Sequence, residues 1–263
     1  MARLTFTEEM DRVAQTRAVR RARPNIKGKV AVILASNRPN DLLDVFKDIE
    51  RQSLPTFELL LGCHGFTPSV AMNRAFNRLK RRRIDVRYFS YDPKVTLGSM
   101  LTDLARKSKS EFVAKMDDDD IYGPEHLRDL LDVINEKNCE VVGRAMNYIY
   151  LEPIDLTVRR FAGVGVSDVE LFSDWICGGT ILVTRSAGEK ADWFGSGTTA
   201  VDTHLLSRVT SNGGKIYRTF GAGYIYRRRS GQHTYATNYG KYLNGIEDQW
   251  VGLVRGSEFG VRP

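Results

Sequence analysis

The hydrophobic pattern of residues 29–143 alternates between short apolar runs and longer amphipathic stretches. The first run, VAVILA at 30–35, is continuous, which is typical of a strand covered on both faces of a parallel sheet. Predicted strands cover 30–35, 57–61, 86–89, 111–116 and 139–143, and predicted helices cover 42–49, 69–82, 99–107 and 125–136. This order predicts an α/β fold with a doubly wound, mostly parallel, Rossmann-like sheet.

The pattern is less regular after residue 143. Strands are predicted at 145–151, 181–185 and 215–220, and a helix at 202–211. We interpret 29–143 and 144–254 as two halves of a single domain, because no Ser/Gly/Pro-rich linker separates them. Residues 255–263 form a tail whose Gly-Ser-Glu-Phe sequence is either native or a remnant of cloning sites.

Residues 1–28 form a basic N-terminal arm. Thr5 and Glu8 have the spacing of a capping box, which predicts a helix that stops before Pro24. The arginines at 17, 20, 21 and 23 favour a solvated helix packed loosely on the domain. A peripheral contact with a membrane surface is the alternative that we keep open.

The charge balance of the 263 residues favours anionic partners. Lys and Arg number 39 and Asp and Glu 32, which gives a net charge of +7. No run of about 18 apolar residues and no signal-peptide layout is present, so we expect a cytoplasmic protein. Cys63, Cys139 and Cys177 are odd in number and far apart, as expected for reduced thiols.

Four consecutive carboxylates, Asp117 to Asp120, follow directly after the predicted strand 111–116. Open α/β sheets bind ligands at this carboxyl edge. Four adjacent carboxylates repel one another, so a divalent cation that bridges to phosphate oxygens is the expected use. The alternative is an acidic turn that caps the following helix.

Several segments in a fixed order carry a family resemblance. They are VAVILASNRP, RQSLPTFELLLGCHG, TLGSMLTDLARKSKSEFVAKMDDDD, GGTILVTR and AVDTHLLSRV, within residues 29 to about 235. In this order they resemble the inverting GT-A glycosyltransferases of family 2. The resemblance implies a GT-A fold, with a nucleotide-sugar-binding half at 29–143 and an acceptor-side half at 144–254.

The resemblance also implies roles for the acidic run as a DxD motif. Asp117 takes the ribose side, Asp119 holds Mn²⁺ or Mg²⁺, and Asp118 contributes to donor binding. Asp118 and Asp120 have the same spacing, so a register shifted by one stays open. The metal ion acts as a Lewis acid that neutralises the departing nucleoside diphosphate.

Asp202 matches the position of the family's general base, at the start of a helix after the DxD motif. The family usually has Glu-Asp there, whereas this chain has Val201-Asp202. A carboxylate with a modestly raised pKa suits proton abstraction from an acceptor hydroxyl. The alternative is that Asp202 only caps its helix.

The remaining donor-site residues are also implied by the resemblance. His64 stands where the family has an acidic run that reads the base, which leaves the nucleotide open. His233, in a loop with Arg229, is a candidate second metal ligand. The other predicted donor contacts are Ser36, Asn37, Arg38, Gly98 and Arg229.

The sequence therefore predicts a metal-dependent inverting glycosyltransferase, with a UDP-sugar favoured as donor and a hydroxyl of a glycan, lipid or protein as acceptor. A sugar-1-phosphate nucleotidyltransferase is the alternative enzyme, but residues 35–39 lack the glycine of its phosphate loop. A basic nucleic-acid-binding protein is the non-enzymatic alternative. We expect no nucleic-acid partner, because stripes of alternating basic and aromatic residues are mostly absent.

Overall fold

The computed structural model describes residues 3–23, 28–161, 168–229 and 239–261. The strands are β1 (Val30–Ser36), β2 (Glu58–His64), β3 (Asp85–Tyr91), β4 (Phe112–Met116), β5 (Ile121–Tyr122), β6 (Val141–Arg144), β7 (Tyr148–Leu151), β8 (Leu156–Arg160), β9 (Leu171–Phe172), β10 (Leu182–Thr184), β11 (Ile216–Thr219), β12 (Tyr224–Arg228) and β13 (Ile246–Val251). The helices are α1 (Phe6–Arg21), α2 (Leu42–Glu50), α3 (Val70–Arg81), α4 (Leu97–Lys107), α5 (His126–Lys137), α6 (Arg185–Lys190) and α7 (Val201–Ser211).

The central sheet has eight strands in the order β3-β2-β1-β4-β10-β6-β11-β9. Strand β1 pairs in parallel with both β2 and β4, and β2 pairs in parallel with β3. Alternate residues of β1 enter opposite cores: Val32 and Leu34 pack under α2, α3 and α5, whereas Ile33 packs under α4 and α7. The prediction of a sheet covered on both faces is confirmed.

The second half of the sheet is mixed rather than parallel. Strand β10 lies antiparallel between β4 and β6, and β9 pairs antiparallel with β11. A second sheet, in the order β13-β8-β7-β12-β5, was not predicted as a layer of its own. Strands β8 and β12 end in Arg-Arg pairs, and these buried or half-buried cations hide the hydrophobic pattern that reveals the other strands.

Helix α1 is held on the domain by buried ion pairs. The Thr5–Glu8 capping box is present as predicted. Arg17 is 7% exposed, and its Nε donates to both carboxylate oxygens of Asp129, at 2.9 and 3.1 Å. Arg20 is also buried and donates to Glu136 at 2.7 Å. The prediction of a loosely packed, solvated helix is therefore wrong, because acidic residues of α5 form buried ion pairs with the arginines of α1.

The C-terminal tail is part of the same packing. Phe259 is 1% exposed and its ring lies 4.8 Å from that of Tyr148. Glu258 forms an ion pair with Arg17 of α1. The tail thus contributes both an apolar and a charged contact to the fold, whatever its origin. Among the helices of the described residues, none has the length and apolar content needed to cross a bilayer.

Candidate functional site

The loop after β1 and the acidic run after β4 meet at the carboxyl edge of the central sheet. Ser36 donates a hydrogen bond to Asp118. The Arg38 guanidinium contacts two neighbouring carboxylates: its Nε lies 3.2 Å from Asp118 Oδ2, and its Nη2 lies 2.9 Å from Asp119 Oδ2. The structure thus brings together four of the predicted donor-site residues, because β1 and β4 are adjacent parallel strands.

A buried lysine joins the acidic run to Asp202. Lys115 lies two residues before Asp117 on β4, and its Nζ is 2.7 Å from Asp117 Oδ1 and 3.2 Å from Asp202 Oδ1. The residue is 3% exposed. Burial alone would lower the pKa of Lys115, but the two carboxylates raise it above its ordinary value. The ammonium therefore stays charged and fixes both carboxylates.

Asp202 does not cap its helix. The N-cap of α7 is Ala200, which adopts a left-handed conformation with φ 54° and provides no side-chain cap. The alternative that Asp202 serves only as a cap is therefore wrong. Burial raises the pKa of Asp202 above its ordinary value, and the Lys115 charge opposes that rise. A carboxylate with a raised pKa has the basicity that proton abstraction requires.

Two consecutive glycines allow the carboxylates to converge. A Cβ at Gly178 would lie 2.1 Å from Asp202 Oδ2. At Gly179, a Cβ would lie 2.8 Å from Asp120 Oδ2 and 2.9 Å from Asp117 Oδ2. A side chain at either position would force these carboxylates to move, and the two glycines let the backbone approach them directly.

The four carboxylates of the run face different surroundings. The side chains of Asp117 and Asp119 are 35% and 16% exposed, whereas that of Asp118 is 5% exposed. Asp120 is buried and accepts hydrogen bonds from the Tyr224 hydroxyl at 2.6 Å and the Arg227 amide at 3.0 Å. Burial, together with the charges of Asp119 and Asp117, raises the pKa of Asp120 well above its ordinary value. This arrangement supports the register in which Asp117 and Asp119 face the ligand.

The carboxylate oxygens of the acidic run are of the kind that bind a hard divalent cation. Burial and the charge of Asp117 raise the pKa of Asp119, even though Arg38 partly compensates its charge. Carboxylate oxygens that repel one another in this way are the ligands that Mn²⁺ and Mg²⁺ prefer. Within the described residues, no three metal-ligating side chains already form a group. His233, the other predicted ligand, lies outside the described residues.

The remaining predicted site residues are spread around the sheet edge. His64 ends β2, and its Nε2 donates to the Val95 carbonyl at 2.9 Å. Asn37 is exposed. Arg229 forms an ion pair with Asp41 and lines a pocket of about 290 Å³ with Asp118, Asp119 and Asp120.

Gly98 has a packing role in the structure. A Cβ there would lie 2.9 Å from both the Phe194 carbonyl oxygen and the Gly197 amide nitrogen. Gly98 also donates its amide to the Gly197 carbonyl at 2.9 Å. Its contacts are thus with the loop at 194–197, and they give no support to the predicted role in donor binding.

Three further residues hold the site together and were missed in the sequence. Tyr122 accepts from the Asp117 amide at 2.7 Å and donates to the Gly179 carbonyl at 2.9 Å. Tyr224 donates to Asp120, and Lys115 bridges Asp117 to α7. A detectable signal existed only for Lys115, because a lone cation inside a buried strand requires a charged partner.

The comparisons with known proteins agree with this architecture. Residues 30–160 match the model of glycosyl transferase family 2. The chain carries a glycosyl transferase family 2 domain. The GT-A fold predicted from the resemblance is confirmed by solved structures of similar fold. No protein of the curated set matches the chain.

The similar structures include TarS of S. aureus. TarS 1-349 in complex with UDP-GlcNAc has a TM-score of 0.58 at 15% identity, over 82% of this chain and 64% of that chain. A second crystal structure of TarS 1-349 has a TM-score of 0.55 at 15% identity, over 76% of this chain and 60% of that chain. This family 2 chain therefore spans under two thirds of the length of TarS 1-349, and the likeness shows a shared fold.

Proposed function

We propose that this family 2 protein is a metal-dependent, inverting glycosyltransferase that moves a sugar from a nucleotide diphosphate sugar to an acceptor hydroxyl. The observation that carries the proposal is the link between Asp202 and Asp117 through Lys115. Through this link, a single ammonium group contacts both the candidate base and a carboxylate of the candidate donor site. A UDP-sugar is the favoured donor, because a structure of the same fold was solved with UDP-GlcNAc.

Donor binding uses the exposed side of the acidic run. Asp117 faces the ribose, and Asp119 holds Mn²⁺ or Mg²⁺. When bound, the divalent ion supplies Lewis-acid neutralisation of the charge on the leaving diphosphate. We assign Arg38 to the diphosphate, because a guanidinium group binds a pair of phosphate oxygens well and this one contacts Asp118 and Asp119 of the acidic run.

Asp202 removes the proton from the acceptor hydroxyl. The hydroxyl oxygen forms a bond to the anomeric carbon from the side opposite the diphosphate. The bond between that carbon and the diphosphate oxygen breaks, and the nucleoside diphosphate leaves with the electron pair. Lys115 holds the Asp202 carboxylate in place and favours its ionised form, while burial keeps its pKa raised.

The test is a thermal-shift panel of UDP, GDP, CDP and dTDP, each with and without Mn²⁺. A ligand that binds only the folded state raises the melting temperature. We expect a Mn²⁺-dependent shift with UDP that is lost in Asp119→Asn and kept in Asp202→Asn. In contrast, Asp202→Asn should abolish release of UDP from a UDP-sugar. A full shift in Asp119→Asn would contradict the metal assignment, and no shift with any nucleotide would contradict the donor site.

A further inference from the structure

Helix α3 and the turn after it carry a group of arginines and lysines that are open to solvent. Helix α3 contains no acidic residue. Arg78 pairs with Glu50, and Arg82 donates to the Gln52 carbonyl. On α3 and the turn after it, the exposed cations without a carboxylate partner among the described residues are Arg74, Lys80, Arg81 and Arg83. On helix α1, in contrast, acidic residues of the domain form ion pairs with the arginines at 17, 20 and 21.

A groove runs beside these cations, between α3 and the edge strand β3, and we call it the α3–β3 groove. Its volume is about 490 Å³. The lining residues are Asn73, Phe76, Asn77 and Lys80 on α3 and Val86, Arg87, Tyr88 and Phe89 on β3. Strand β3 is at one edge of the central sheet, with β2 and β1 between it and β4, the strand that precedes the acidic run. The groove is therefore separate from the candidate donor site.

An exposed aromatic ring is held rigidly at the groove. The ring of Tyr88 stacks on that of Phe76, with centroids 5.8 Å apart and planes at 18°. Tyr88 is 48% exposed although Phe76 is buried, so one ring anchors the other at the surface. The amides of Asn73 and Asn77 are exposed on the same lining. A rigid aromatic face with a few polar groups beside it is a recognition surface for a ring that has one apolar face and hydroxyl edges.

We propose that the α3–β3 groove binds a segment of an acidic polysaccharide. The sugar ring packs on Tyr88, its hydroxyl groups bond to Asn73 and Asn77, and its carboxylates meet Lys80 and Arg81. Charge complementarity favours an acidic glycan over a neutral one, because only an acidic glycan can form ion pairs with the exposed cations. A second copy of the chain along the β3 edge would bring the same cations together and be repelled.

The test measures binding of oligogalacturonate, a carboxylate-bearing glycan, to the full chain by titration calorimetry. We expect affinity that falls with added salt, because exposed charge contacts are screened. The paired change of Lys80→Gln with Arg81→Gln and the single change Tyr88→Ser should each weaken binding about fivefold or more. Lys29→Gln is the matched control with unchanged affinity, because Lys29 is exposed at the amino end of β1.

Several results would overturn the proposal. Equal affinity for a neutral dextran of matched length, or wild-type affinity in the groove variants, would show that no specific acidic-glycan site exists. Tighter binding of single-stranded DNA or of vesicles containing anionic phospholipid would assign the surface to those partners instead. The donor site is tested separately, since Asp119→Asn should leave oligogalacturonate binding intact and Tyr88→Ser should leave the UDP shift intact.

Discussion

The ammonium of Lys115 lies between the carboxylates of Asp117 and Asp202, 2.7 Å from one and 3.2 Å from the other. One buried cation thus serves two anions from different elements, β4 and the start of α7. The Gly178 carbonyl accepts a third contact from the same nitrogen at 3.3 Å. The geometry of the candidate base therefore depends on a residue that touches neither donor nor acceptor in the proposed reaction.

Replacing Lys115 with Met should destabilise the protein by about 2–4 kcal/mol near pH 8, because two carboxylates, each about one third exposed, lose their buried cation. The loss should shrink as the pH falls, since protonation removes the uncompensated charge. Urea unfolding near pH 8 and at a lower pH measures both the loss of stability and its pH dependence. Lys47→Met is the control, because Lys47 pairs with Asp44 at the surface and should cost less than about 1 kcal/mol.

A double-mutant cycle separates charge pairing from packing at Lys115. In an Asp202→Asn background, Lys115→Met should cost less than in the wild type, because only Asp117 is then left uncompensated. The same cost in both backgrounds would show that Lys115 stabilises the fold by packing alone.

The sequence predicts the parallel half of the fold well, because the hydrophobic pattern within each strand and helix is enough to identify it. Strands β1 and β2 contain continuous apolar runs, β4 is apolar apart from Lys115, and the helices between them have a clear amphipathic period. Strands β8 and β12 were missed because each ends in arginines whose partners are distant in the chain. Arg159, for example, donates to Glu9 and Asp248.

The same limit applies to the candidate site. The acidic run and Asp202 are recognisable from their positions after predicted elements. Pairs such as Lys115–Asp202 and Tyr224–Asp120 are 87 and 104 residues apart, respectively. No spacing rule in the sequence connects them, so only the folded chain shows that they meet.

Asp48 is expected to make stability depend on pH. Burial raises the pKa of Asp48 to about 6, while its Oδ2 accepts from the Tyr122 amide at 3.0 Å. Because the folded pKa lies above the ordinary value, the stabilisation is complete below about pH 4 and is lost as the pH rises through about 6. Asp48→Asn keeps the acceptor oxygen and should be more stable than the wild type by about 1–3 kcal/mol near pH 8.

Thermal unfolding of wild type and Asp48→Asn across this pH range measures the effect. The advantage of the variant should vanish toward pH 4. Asp44→Asn is the control on the same helix, because the Asp44 side chain is 73% exposed, and it should show no comparable gain. A gain for Asp48→Asn that does not change with pH would contradict the role of ionisation.

The α1 helix should contribute to global stability. Arg17 contacts Asp129, which also pairs with the fully buried Arg144 at 2.8 Å. Arg17→Met leaves Glu258 without its cation and Asp129 with only part of its charge compensated, so we expect a loss of about 2–4 kcal/mol in denaturant unfolding. Arg12→Met, at an exposed position of the same helix, should change stability by less than about 0.5 kcal/mol. Equal effects would show that α1 is held only by its apolar residues.

Gly179 tests whether the convergence of carboxylates matters for ligand binding. In Gly179→Ala the new methyl group would lie within 3 Å of Oδ2 of both Asp120 and Asp117, and both carboxylates are fixed by other contacts. We expect a stability loss of about 1–3 kcal/mol and loss of the Mn²⁺-dependent UDP shift, because the carboxylates must separate. Gly213→Ala is the control: nothing lies within 4 Å of its Cβ position, but its φ of 78° imposes backbone strain. Gly213→Ala should therefore lower stability and keep the UDP shift. A wild-type shift in Gly179→Ala would show that nucleotide binding does not require the close approach of these carboxylates.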